Sequence, residues 1–288
     1  MNDFPRFDMW LPPEIARKAE DLGVSKASIG WRNMFLLSIL AGAFIALGAV
    51  FATTVTAGAP GNVPFGMLKL TGGLVFCLGL ILVVTAGAEL FTGNNLIIIA
   101  LANHKISIRQ LLRNWIIVFI GNFVGSLMTA LFLLLTQQYT FGKGVVGLNI
   151  LEIAQAKCSF GFVQAVALGM MCNALVCLAI WICFSARTMT DKVMAILFPI
   201  SAFVAAGFEH SVANMYFIPM GIFVKTAAPL SFWENIGKTA ADFGNVTISN
   251  FLLVNLIPVT IGNIIGGSIL VGLVYWFIYI RKPETPLF

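Results

Sequence analysis

Two histidines occur in the chain, and one of them lies where ionisable side chains are least expected. His210 follows Glu209 in the run "GFEHSVANM" (207–215), directly after a long apolar stretch. A carboxylate beside an imidazole in hydrocarbon-like surroundings is suited to holding or passing a proton, because imidazole is the side chain that titrates near neutrality. A second run, "AELFTGN" (88–94), aligns with "FEHSVAN" (208–214), so Glu89 pairs with Glu209 and Asn94 with Asn214. A charge at the centre of a bilayer costs about 2.5–3.5 kcal/mol on insertion scales. Two equivalent carboxylates therefore need a reason. Either each accepts hydrogen bonds from backbone N–H groups freed where a helix breaks, or the two form proton or cation sites. Repetition favours support, since both halves need a brace while a single path needs no second copy. His210 has Leu90 as its mate, and this asymmetry makes it the better transport candidate. Thr92 lies in the opposite break, and its hydroxyl meets His210 if the two halves face each other.

The elements that carry these residues are membrane spans. The 288 residues are 59% hydrophobic and 10% charged, against about 25% charged in a soluble domain. Six apolar stretches reach the length of about 20 residues that a bilayer requires: roughly 34–57, 67–102, 111–136, 160–185, 193–217 and 250–280. The second and fifth are interrupted by "AGAELFTGNN" (86–95) and "AGFEHSVANM" (206–215), so both are read as discontinuous helices. Of the 17 Lys and Arg residues, twelve fall in the N-terminal segment, the 103–113 and 186–192 loops and the tail, including Arg6, Lys26, Lys192 and Lys282. The positive-inside rule makes that side, with both termini, cytoplasmic. The net charge of +5 reports this topology and not nucleic-acid binding. Trp115 and the Tyr275/Trp276/Tyr279 cluster fit interfacial belts.

The chain also repeats itself. "NWIIVFIGNFVG" (114–125) aligns with "NLIPVTIGNIIG" (255–266), and "ALG" occurs at 46–48 and 167–169, at nearly equal distances before Glu89 and Glu209. These matches indicate duplication of a three-helix unit. An odd number of crossings forces the second copy to enter from the opposite side, which is the inverted-repeat plan with a site between the breaks. The expected fold is thus all-α and integral to the membrane, six helices in a 3+3 arrangement. Residues 1–32 form an N-terminal segment whose amphipathic helix spans 12–23 and stops at Gly23. Residues 33–281 form the transport domain, and 282–288 a short tail.

Other features have plain explanations. Asn94, Asn122, Asn173, Asn214 and Asn263 are amides within spans that hydrogen-bond between helices. Gly121-x-x-x-Gly125 and Gly262-x-x-x-Gly266 are small-residue faces for close packing. Phe76, Leu80, Leu90, Phe91 and Phe203 are bulky groups near the breaks, either ordinary packing or apolar constrictions. The five cysteines lie mostly in apolar runs and read as small hydrophobes. No Ser/His/Asp set, metal cluster, Walker motif or dinucleotide-binding glycine pattern is present, so an enzyme, a metal and a cofactor are not expected.

At "ELFTGNN" (89–95), "GFEHSVANM" (207–215) and "IPVTIGNIIGG" (257–267) the sequence resembles the formate/nitrite transporter family over essentially its whole length. The N-terminal segment and "ANMYFIPMGI" (213–222) resemble its bacterial formate-channel branch; the hydrosulfide branch carries a Lys where Thr92 stands. The resemblance implies an aquaporin-like protomer in a homopentamer of the bacterial inner membrane, passing formate and related small monovalent anions. It implies His210 as the central histidine, exchanging a proton with substrate, with Thr92 its partner and Asn173 polarising the site. It further implies Phe76, Leu80, Leu90, Phe91 and Phe203 as constrictions, Glu209, Asn214 and Asn263 as supports, and Lys157 as the residue drawing anions into a periplasmic funnel; Glu89 and Asn94, the repeat mates of Glu209 and Asn214, are read as supports with them. A nitrite channel of the same family and an ion-coupled carrier using Glu89 and Glu209 are the alternatives.

Overall fold

The computed structural model describes residues 9–58 and 63–281. Arg6, Lys282 and the 282–288 tail lie outside the described residues. Helix α1 (Pro12–Ser28) is followed by α2 (Trp31–Val55) and α3 (Phe65–Ala86). A 3-10 turn (Gly93–Ile97) leads into α4 (Ile98–Ala102), and then comes α5 (Ile108–Leu135). The second half runs through α6 (Val145–Lys157), α7 (Phe162–Ser185), α8 (Met189–Ala205), α9 (Ser211–Ala227) and α10 (Leu230–Ile236). The last crossing is one continuous rod: α11 (Ile248–Asn250), a π-helical stretch (Phe251–Leu256), α12 (Ile257–Ile264), a second π-helical stretch (Ile265–Leu273) and α13 (Val274–Tyr279).

Five helical stretches, α2, α3, α5, α7 and the rod that ends at Tyr279, are long and apolar enough to cross a membrane. The remaining crossing is shared by α8 and α9, 17 residues each, which flank the break at 206–210. The protein is all-α and membrane-embedded, with six crossings of which the second and fifth are broken. Three boundaries depart from the sequence reading. Helix α1 passes through Gly23 to Ser28, because Gly23 serves close approach: a Cβ there would lie 3.1 Å from the Ala100 Cβ. The fifth crossing extends to Ala227, since its second half-helix only begins at Ser211. Helix α6 stands where no span was marked; its 13 residues are too few to cross a bilayer, and it buries Val146, Ile150, Leu151 and Ala154.

The hydrogen bonds fix the register of the repeat. Asn122 donates to the Ser38 and Glu89 carbonyls, and Asn263 donates to the Gly169 and Glu209 carbonyls. Ser38 is therefore the mate of Gly169, and α2 the mate of α7. The "ALG" alignment, which paired Gly48 with Gly169, is out of register. Its nearly equal spacing is coincidental, because residues 56–64 join α2 to α3 while only 186–188 join α7 to α8. The repeat is also longer than three helices. Asn114 donates to the Lys26 carbonyl at the end of α1, and Asn255 donates to the Lys157 carbonyl at the end of α6, so α1 and α6 are mates as well.

Each half is closed by the same glycine contacts. A Cβ on Gly125 would overlap the Ile39 carbonyl, and one on Gly266 the Met170 carbonyl, so α2 meets α5, and α7 meets the last crossing, backbone to backbone. Introducing Gly125→Ala should lower the thermal midpoint in detergent, by an overpacking cost of about 1–3 kcal/mol or more. Gly30→Ala, where nothing lies within 4 Å of the added atom, should leave it unchanged. Equal midpoints for the two variants would contradict this packing.

Candidate functional site

Both breaks are made the same way. Gly87 and Gly207 each have φ +74°, the left-handed conformation that ends a helix readily only at glycine. The next residues wrap back, Ala88 N–H to the Val83 carbonyl at 3.0 Å and Phe208 N–H to the Phe203 carbonyl at 3.0 Å. Beyond the glycines the chain is pinned to its neighbours. Glu89 N–H donates to the Leu37 carbonyl and Glu209 N–H to the Leu168 carbonyl. Phe91 N–H donates to Asn122 Oδ1 and Ser211 N–H to Asn263 Oδ1, both at 2.9 Å.

The glutamates are held by side chains and not, as the sequence suggested, by freed backbone N–H groups. Glu89 accepts from Lys26 Nζ at 2.6 Å and Asn94 Nδ2 at 2.7 Å. Glu209 accepts from Lys157 Nζ at 2.7 Å, Asn214 Nδ2 at 2.7 Å and Asn255 Nδ2 at 3.2 Å. Asn94 and Asn214 donate in turn to Asn114 and Asn255. The two freed backbone N–H groups are taken by the Asn122 and Asn263 amides, so each half carries one complete Lys–Glu–Asn brace. Trp115, expected at an interfacial belt, belongs to it too: its indole N–H donates to the Asn94 carbonyl at 3.0 Å.

His210 and Thr92 meet across the two halves, Nε2 to Oγ1 at 2.9 Å, and both are fully enclosed. His210 is also the N-cap of α9, where its Nδ1 accepts from Ala213 N–H at 3.0 Å. An imidazole nitrogen that accepts carries no proton, so these bonds assign the Nε2–H tautomer, which donates to Thr92. The Thr92 hydroxyl hydrogen is then left to donate elsewhere. Asn173 makes no hydrogen bond to the His210 ring; its Nδ2 reaches the Thr92 carbonyl at 3.2 Å, the Asn95 Oδ1 at 2.8 Å and the Asn263 carbonyl at 2.7 Å.

Two cavities approach this pair from opposite sides. One, of about 440 Å³, reaches from Lys69 and Lys157 inward to Phe76, Phe203 and His210. The other, of about 410 Å³, reaches from Lys26 and Lys192 inward to Leu90 and Gly93. Phe203 lies between Phe76, edge-on at 5.8 Å, and the His210 ring, stacked at 6.0 Å. Leu80, Thr92 and Phe91 border neither cavity. Phe91 is packed edge-on against Phe119 and Trp115 of α5.

The sequence profile of the formate/nitrite transporter family matches residues 13–277. The chain belongs to the formate/nitrite transporter family. The Escherichia coli K12 formate channel FocA is 48% identical over 278 residues, covering 96% of this chain and 97% of FocA. The FocA of Haemophilus influenzae is 44% identical over 261 residues, covering 91% and 92%. A solved pentameric formate channel with formate bound superposes with a TM-score of 0.83 at 49% identity, covering 87% of this chain and 98% of that one. An ion channel of the family superposes with a TM-score of 0.78 at 27% identity, covering 92% and 98%.

Within this formate/nitrite transporter fold, four participants escaped the sequence reading: Lys26, Asn95, Asn114 and Asn255. The last two were visible as the aligned asparagines that open the two "N-x-I" runs. Lys26 was hidden among other basic residues of α1. Lys157 holds Glu209 closely, its own side chain 15% exposed and that of Glu209 4%, so its charge is largely cancelled where it stands. Removing one partner of such a pair costs roughly 3–5 kcal/mol. Lys157→Met should therefore lower the yield and melting temperature of folded protein, and Lys157→Met with Glu209→Gln should restore much of both. A double variant no more stable than the single one would show that the pair is not the reason.

Proposed function

We propose that this protein passes formate and related small monovalent anions across the bacterial inner membrane, as a homopentamer with one route per protomer. The α1 side is cytoplasmic, the side to which the sequence reading assigns twelve of the 17 basic residues and both termini. The α6-side cavity is the periplasmic funnel with Lys157 at its edge, and the α1-side cavity opens to the cytoplasm. The observation that carries the reading is the Thr92–His210 contact at 2.9 Å, set between two cavities that come from opposite faces. It is supported by the likeness over the full chain to proteins named as formate channels. Phe76, Phe203 and Leu90, at the inner ends of the cavities, together with Leu80 and Phe91 behind them, form the apolar narrowing.

An anion meets a desolvation penalty there. The idealised cost of taking a carboxylate into a medium of low dielectric is about 20 kcal/mol, and still several after relaxation. The Thr92 hydroxyl, freed by the His210 Nε2–H bond, donates to one carboxylate oxygen. A proton given to the anion removes the remaining charge. For His210 to supply it, the imidazolium must form, and that sets its Nδ1–H against the Ala213 N–H and forfeits a cap worth about 1 kcal/mol. An anion 4 Å away returns roughly 4 kcal/mol at an effective dielectric constant near 20. The anion's charge thus offsets the lost cap and part of the cost of burying a charged ring. With the added proton taken from the water of the periplasmic funnel, the Nε2 proton moves to a formate oxygen directly or through Thr92, formic acid crosses the apolar rings, and the ring regains its Nε2–H tautomer by taking a proton at Nε2 and losing the one at Nδ1. Glu89 and Glu209 already hold Lys26 and Lys157, which argues against a carrier that uses them as cation sites.

The test is labelled formate flux into proteoliposomes at acidic and neutral external pH, with nitrite, acetate and lactate as competitors. Wild-type uptake should rise with external acidity. His210→Asn keeps an oxygen able to cap Ala213 but cannot ionise, and should abolish that rise. A variant that retains the wild-type pH profile would remove proton exchange; wild-type protein that carries no formate would remove the function.

A further inference from the structure

The inverted repeat supplies an internal control for every position near the centre. Residues kept in both halves build the braces. Residues that differ mark what the scaffold alone does not require. Several buried polar or thiol groups besides His210 have an apolar or glycine mate, and five of them gather at the first break: Thr92 against Val212, Asn95 against Met215, Asn173 against Gly42, Cys177 against Ala46, and Ser268 against Leu127. These five converge on one stretch of backbone. The Thr92 carbonyl receives Asn173 Nδ2 at 3.2 Å, Cys177 Sγ at 3.4 Å and Asn95 N–H at 3.4 Å. Asn95 Oδ1 accepts from Asn173 at 2.8 Å, Asn95 Nδ2 donates to the Phe91 carbonyl at 3.3 Å, and Ser268 donates to the Asn95 carbonyl at 3.3 Å.

The backbone departs from symmetry at the same place. In the first half Gly42 lies against the Asn122 backbone, with no room for a side chain. Its mate Asn173 carries a full amide, and the last crossing makes room by opening into the π-helical stretch Ile265–Leu273, whereas α5 is α-helical throughout. Gly267 sits in that stretch, and a Cβ there would press on Asn173 Nδ2, Cys177 Sγ and Asn95 Cβ at once. π-Turns within α-helices are frequent at functional sites. A fully buried amide also carries a desolvation penalty that the methionine at its mate avoids.

We propose that Asn95 is a positioning residue for Thr92. Clamped by Asn173 in the pocket opened by the π-helical turn, it fixes the Phe91–Thr92 backbone so that the Thr92 hydroxyl faces His210. This rests on the reading of Thr92 as the contact for formate. Asn95 does not touch the substrate; it acts through the backbone next to it.

The experiment is a double-mutant cycle on formate flux into proteoliposomes, comparing wild type, Asn95→Met, Thr92→Val and the double variant, each checked as an assembled oligomer. Methionine is chosen because the second half accommodates it at the mate position. Asn95→Met should lower the maximal rate about tenfold in the wild-type background and have little further effect once Thr92 is valine, since residues acting as a unit are not additive. Additive losses would overturn the inference. Asn95→Ser, smaller and still offering Asn173 an acceptor, covers the case in which the methionine variant does not assemble. It should lose less than tenfold, again only while Thr92 is present, and an equal loss in the Thr92→Val background would overturn the proposal. Wild type that carries no formate overturns the functional reading and this inference with it, whereas wild-type flux with an additive cycle overturns this inference alone.

Discussion

A helix interrupted in hydrocarbon exposes peptide groups that no water can reach, and each one left unpaired costs several kcal/mol. A hydrogen bond formed in folding contributes only about 0.5–1.5 kcal/mol net. The polar residues around such a break therefore exist chiefly to avoid a penalty. One asparagine per half does most of this. Asn122 links the Ser38 carbonyl, the Glu89 carbonyl and the Phe91 N–H, and so ties α2, the break and α5 together through a single side chain. Asn263 does the same for α7, the second break and the last crossing. Most polar groups near the centre are consequently committed to peptide groups or to one another, and few remain for a substrate.

The same constraint shapes the charges. A carboxylate buried beside a break is tolerable only with a cation and amides on it, and Lys26 and Lys157 provide the cations from α1 and α6. These two helices lie outside the six crossings, yet they are repeat mates, and each carries in its last turn the lysine that pairs with a break glutamate. The breaks cannot be built without them. The N-terminal helix is therefore a structural part of the first half, whatever else it does. Lys69 and Lys192, which line the two cavities, form no ion pair among the described residues, so their charge remains facing the mouths.

How much of this could be read from residues depends on the range of the signal. The breaks were legible because a glycine followed by a carboxylate is foreign to a continuous apolar helix. The pairing of α5 with the last crossing was legible because Asn and Gly recur at fixed spacing on both. The pairing of α2 with α7 was not, since a three-residue match cannot fix register across connections of unequal length. The π-helical stretches leave no local mark: α5 carries the same glycine pattern without one, and at Ile265–Leu273 the difference coincides with Asn173 standing opposite in place of Gly42. Asn95 carried no mark in the sequence, because what sets it apart is its mate Met215, and the pairing shows only once the repeat register is known. Lys26 and Lys157 gave no sign of their partners because ion pairs between distant segments have no period to detect.

His210 shows why support and chemistry cannot be separated here. Its ring caps α9 through Nδ1 and meets Thr92 through Nε2, so the helix end that it closes also decides which nitrogen faces the other half. A residue that only capped would leave Thr92 unmatched, and one that only titrated would leave the Ala213 N–H exposed in hydrocarbon. Leu90, at the equivalent point of the first half, has no polar side-chain atom and makes neither contact, although the backbone closes alike in both halves, Asn94 N–H on the Leu90 carbonyl and Asn214 N–H on that of His210. The first break accordingly offers a hydroxyl and the second an imidazole, and the route through the protomer has one polar contact at its centre where strict symmetry would have produced two or none.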